Sequence, residues 1–116
     1  MTSIIRIVKS IKRVPIRLTA IQWQHILKRH PKLKDFQDQI LLTVERPYRI
    51  YSAPEKEFEF AALKVFPELR EKGLAENLIV HYKELSKKDG FIITAFVMSD
   101  KRLKRRFRKW QIVYQS

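Results

Sequence analysis

No cysteine occurs among the 116 residues, which excludes a disulfide framework, a thiolate zinc site and a cysteine nucleophile. Glycine is almost as scarce, at two residues, and 45% of the chain is apolar, so neither a collagen-like nor a disordered chain fits. No apolar run approaches the roughly 18 residues of a membrane span. Met1 to Val8 holds no long apolar stretch and no small-residue cleavage site, so no leader peptide is read there. Together these point to a cytoplasmic protein with no membrane partner. There is no glycine-rich phosphate loop, no Gly-x-Ser-x-Gly elbow and no helical pair of metal ligands, since His25 and His30 stand five apart. No metal or cofactor is therefore expected.

The last absence is the most informative. Residues 1–34 hold nine basic residues and no acidic one, and 101–116 hold seven basic residues and again no acidic one, while 35–100 carry a net −3. Like charges packed together destabilise a fold, and an anionic partner relieves that repulsion. Nucleic acid is the commonest such partner, because neutralised phosphates release counterions. The expected partner is RNA, with DNA as the alternative nucleic acid, and an acidic inhibitor or antitoxin protein is a further candidate. A solvated basic tail is the plain alternative.

The length suits one domain with a real core, here residues 1–116 with basic segments at 1–18 and 101–116. Ile4 to Val8 reads as a short strand, followed by a basic connector to Leu18. Thr19-Ala-Ile-Gln22 has capping-box spacing. From it Ala20, Trp23, Leu27 and His30 recur at helical intervals up to Pro31, which discourages helix at His30. A second helix is predicted from about Asp35 to Arg46, burying Phe36, Ile40, Leu41 and Val44. After Pro47 the period changes: Tyr48–Ser52 and 57–66 read as strands, and Pro67 to Gly73 as a charged connection. Asn77–Leu85 and Phe91–Met98 read as a hairpin turned by Lys87-Lys-Asp-Gly90, and Trp110–Tyr114 as a last strand. The expected class is α+β, with two N-terminal helices packed on a four- to five-stranded antiparallel sheet.

Two of the three histidines fall in His25-Ile-Leu-Lys28-Arg29-His30-Pro31. Positions four apart on a helix differ by about 40°, so His25 and Arg29 share a face, while His30 lies about 100° from Arg29. His30 sits at the fraying end and is free to turn toward the sheet. Read plainly, His30 is a helix-terminal histidine favoured by the dipole and His25 a surface residue. Imidazole titrates near neutrality and serves either proton-transfer role, and the guanidinium fork fits phosphate oxygens.

The run Ile26-Leu-Lys-Arg29-His30-Pro31, a following helix, Pro47-x-x-Ile50 opening a strand, and Phe91-Ile-Ile-Thr94-Ala-Phe96 occur in that order. Over 19–114 the chain resembles the barnase–EndoU–colicin–RelE-like nuclease superfamily, in its phage and mobile-element branches. The resemblance implies a metal-independent endoribonuclease cleaving by 2′-OH transphosphorylation, a toxin or mobile-element effector. It implies catalytic roles for His30, Arg29 and Thr94, with His25 next. Many relatives carry an acidic residue after the His-Pro pair where this chain has Lys32. A non-catalytic RNA- or DNA-binding module of the same fold is the alternative.

Nucleic-acid contacts are expected from Lys28, Arg49, Lys83, Arg102, Arg105, Arg106, Arg108, Lys109 and Trp110, aromatic and basic residues interleaved as single strands require. Tyr48 and Tyr51 are further stacking candidates. His81 ranks lower, as an ordinary strand histidine, though alternation aligns it with Ile79 and Lys83. Glu57 and Glu59 read as a solvated strand face.

Overall fold

The computed structural model describes residues 3–116. Met1 and Thr2 of the basic N-terminal segment lie outside the described residues. The chain order is β1 (Ile4–Lys9), β2 (Pro15–Thr19), α1 (Ala20–Arg29), a 3-10 helix (Pro31–Asp35), α2 (Gln37–Glu45), β3 (Arg49–Ser52), β4 (Glu59–Val65), a second 3-10 helix (Pro67–Lys72), β5 (Asn77–Ser86), β6 (Asp89–Met98), α3 (Asp100–Arg106) and β7 (Gln111–Gln115). The seven strands form one sheet in the order β1-β2-β6-β5-β4-β3-β7.

The expected architecture is corrected in three respects. The sheet has seven strands rather than four or five. It is mixed, because β2 runs parallel to β6 through Ile16↔Gly90 and Arg17↔Phe91. The helices α1 and α2 follow two strands rather than opening the chain. The error traces to residues 15–18, read as part of a connector. Pro15 starts the strand, where its missing N–H does least harm, and Ile16 and Leu18 alternate inward to full burial. The basic run after Ser99 also contains a helix, which Ser99 caps by accepting the Arg102 N–H at 3.3 Å.

The two predicted helices exist for the reasons read from sequence. Thr19 caps α1, its hydroxyl accepting the Gln22 N–H at 3.2 Å, a contact worth about 1 kcal/mol. Ile40, Leu41 and Val44 form the buried stripe of α2, with Phe36 just before it.

Burial divides the sheet into two faces. Ile16, Leu18, Leu78, Val80, Tyr82 and Ile92 point to the side covered by Ile26 of α1 and by Ile40 and Val44 of α2. Each such side chain contributes about 1.5–3 kcal/mol by leaving water. The intervening residues Tyr51, Ala61, Leu63 and Ile79 point the other way, against Leu103 and Phe107 from α3 and its end. Consecutive buried residues in β4 and β5 follow from cover on both sides.

The β5–β6 hairpin is present, but its turn is Lys87–Lys88, with Asp89 and Gly90 already in β6. Gly90 serves close packing instead. A Cβ there would lie 2.5 Å from the Lys83 carbonyl oxygen and 2.6 Å from Ile16 Cδ1. Without glycine, β2 could not approach β6 beside the β5–β6 register shift.

Candidate nucleic-acid interface

The less covered face carries the chemistry-bearing side chains. Strand alternation places Ile79, His81 and Lys83 on it, and the β5–β6 register sets His81 opposite Thr94 and Ile79 opposite Phe96. The β4 partners of His81 and Lys83 are Ala61 and Glu59. Small Ala61 leaves room above His81, which the aromatic residues at the end of α3 fill.

His81 is the hub of this face. Its ring centroid lies 5.3 Å from Phe96, 6.1 Å from Phe107 and 5.5 Å from Trp110, the last edge-on. Its Nε2 is buried and has no hydrogen-bond partner among the described residues. Burial, with the Arg106 and Lys56 charges adding to it, pushes the imidazole down from 6.5 to about 4, so it is neutral at pH 7. Sequence reasoning ranked this residue low. The available signal was the two-residue alternation placing His81, Thr94 and Phe96 on one face, which requires knowing the hairpin register.

His30 arrives from the other side of β6. β2 pairs with β6 only at its start, after which the chain turns into α1, which packs beside the rest of that strand. At the end of α1, His30 takes a non-helical conformation while its N–H still donates to the Ile26 carbonyl at 2.8 Å. Its ring lies 6.3 Å from Phe96. Partial burial, then the nearby Arg29 and His25, lower its pKa below 6.5, so it too is neutral at pH 7. His30 and His81 thus flank one phenylalanine.

The band continues across the sheet. Phe107 meets Trp110 edge-on at 4.8 Å and stacks on Tyr51 at 4.4 Å. The Arg49 guanidinium lies over Tyr51 at 5.8 Å and Tyr48 at 5.5 Å, and its Nη1 donates to the Tyr51 hydroxyl at 3.1 Å. The Arg106 guanidinium lies 5.4 Å from the Phe96 centroid, a cation–π geometry. At the far end Arg17, ion-paired with Asp89, covers Phe91 at 5.6 Å.

Of the predicted catalytic residues, His30 and Thr94 both neighbour the Phe96–His81 centre. His25 and Arg29 are exposed on α1 and act on His30 through their charge. Of the predicted binding residues, Arg49, Lys83, Arg106 and Trp110 belong to this face. Lys28, Arg102 and Lys109 are exposed. Arg105 and Arg108 border a separate depression of about 610 Å³ along α3, with Lys101 and Lys104. Glu59 lies opposite Lys83 in the sheet. Phe96, the ring between the two histidines, had been given no role.

Among the described residues, no helix is long and apolar enough to cross a membrane, and no group of three His, Cys, Asp or Glu is placed to hold a metal ion. In comparisons with known proteins, no family model, curated protein or solved structure matches the chain.

Proposed function

We propose that this protein is a metal-independent endoribonuclease that lays single-stranded RNA across the aromatic face of its sheet. The observation that carries this reading is the His30–Phe96–His81 row, with Arg106 over the central ring. A base stacks on an aromatic side chain whatever its identity, at about 1–3 kcal/mol each, and guanidinium groups take the phosphates.

RNA brings its own nucleophile. A neutral imidazole at His30 takes the 2′-OH proton, and O2′ attacks the adjacent phosphorus. The bond to O5′ breaks, and the leaving oxygen gains a proton from an acid, the role assigned to His25. The products are a 2′,3′-cyclic phosphate and a 5′-hydroxyl. Arg29 and Arg106 neutralise charge on the pentavalent phosphorus, and the Thr94 hydroxyl orients the phosphate. A role as a toxin or mobile-element effector, restrained by an acidic inhibitor, follows from the same reading.

The second reading is a non-catalytic RNA- or DNA-binding module. His81 favours it, since a neutral imidazole caged by three aromatic rings suits stacking better than proton transfer. The test is incubation of mixed-sequence RNA and matching DNA in EDTA with wild type, His30→Ala and Arg29→Ala. Cleavage of RNA alone, by wild type alone, with cyclic phosphate ends, is the expected result. Intact RNA with salt-sensitive binding that His30→Ala preserves would replace the nuclease with the binding module.

A further inference from the structure

The strand that ends the sheet on the N-terminal side has an unusual surface. In β1 only Val8 is buried, while Ile4, Ile5 and Ile7 are 53%, 40% and 59% exposed. Among the described residues its one strand neighbour is β2, so its outer backbone edge is unpaired. Natural edge strands are usually blunted by charge, proline or cover. Here three isoleucines stand at the open edge, with Arg6, Lys9 and a register shift between Ile4 and Arg6 among them.

Beside that edge lies a groove between β1 and α2. Two adjoining depressions of about 560 and 380 Å³ share Ile7, Val8 and Glu45. Leu42 of α2, 37% exposed, provides apolar wall. The charged rim is asymmetric. Asp38 is held by Arg6 and Glu45 lies 3.7 Å from Arg46, whereas Lys9 and Arg13 border the groove with no ion-pair partner among the described residues.

We propose that β1 is a docking edge for an extended acidic segment of a partner protein, which adds as an eighth strand and lays side chains into the groove over α2. Backbone pairing supplies affinity in such additions, and pockets for alternate side chains supply selectivity. Charge complementarity chooses the occupant. An antiparallel β1–β1 pair between two copies would bring Arg6 and Lys9 of each beside those of the other, in chains each carrying +13. An acidic strand instead meets Lys9 and Arg13 with one face, while the apolar residues of its other face lie toward Leu42. This surface is independent of the histidine face.

The probe is a nine-residue blocked peptide alternating Glu and Val, beside a Lys/Val version and a Glu/Val version N-methylated at alternate residues. Calorimetric titration and amide hydrogen exchange are read on the full chain. The Glu/Val peptide should bind with salt-sensitive affinity and protect β1 amides. Exposed Lys9→Glu should weaken it about tenfold, and N-methylation should abolish it. Absence of binding, equal binding of the Lys/Val peptide, or protection at β7 instead of β1 would each overturn the proposal. So would a dimer of the free protein with protected β1 amides, which would make a second copy the occupant.

Discussion

The two faces of one sheet are built differently. The face under α1 and α2 is aliphatic at its centre, with Ile16, Leu18, Leu78, Val80 and Ile92 all at zero exposure. The opposite face, built from alternate residues of the same strands, carries His81, Thr94, Phe96, Lys83 and Arg49, and α3 covers only part of it. Adjacent positions on β5 therefore have different surroundings: Val80 packs under the helices, and His81 sits among Phe96, Phe107 and Trp110. Stability and recognition should separate by residue parity along a strand.

The sharpest test of that separation is His30→Gln. On the proposed nuclease reading, loss of a positioned proton transfer should lower cleavage roughly 10²–10⁴-fold, and because the ring is partly exposed at a helix end, the unfolding midpoint should stay nearly unchanged. Leu78→Ala should invert the pattern. It leaves a cavity under the helices, costs about 2–5 kcal/mol in denaturant unfolding, and spares the RNA affinity of the fraction still folded.

A pH titration of stability probes the open face. The folded His81 imidazole titrates at about 4 rather than 6.5. The unfolded chain thus binds the proton first, and stability present above pH 6.5 is lost as pH falls toward 4. The slope approaches about 1.4 kcal/mol per pH unit within that window. The lowered pKa of His30 adds in the same direction. His81→Leu should flatten most of the slope, as urea midpoints between pH 4 and 7 would reveal. The smallest effect is expected from Trp110→Ala, which removes one edge of the His81 cage. It should weaken single-stranded RNA binding by about 1–3 kcal/mol, read by fluorescence anisotropy at fixed salt. An equal loss from Leu78→Ala in folded protein would dissolve the distinction between the faces.

Local features were legible in the sequence. The Thr19 cap and the Ile40–Leu41–Val44 stripe are each written within a few residues, where period and capping act. What escaped depends on partners far along the chain. Ile16 and Leu18 look like part of a basic connector until β6 is known to lie beside them. Asp89-Gly90 reads as a turn until its glycine is seen to admit the β2 backbone. The site followed the same rule. His25, Arg29 and His30 were found as a local cluster, while His81 and Phe96 gained meaning only from the β5–β6 register and from aromatic residues delivered by α3.

The parallel contact of Ile16 with Gly90 also sets a timetable for the growing chain. During synthesis the β1–β2 hairpin emerges long before Gly90 of the strand it must join, and Arg49 likewise waits for the distant Gln115. Such distant pairings slow folding and leave unpaired strands open to association meanwhile. The isoleucines of β1 are thus exposed to other chains in the nascent protein well before the finished sheet presents them at its edge.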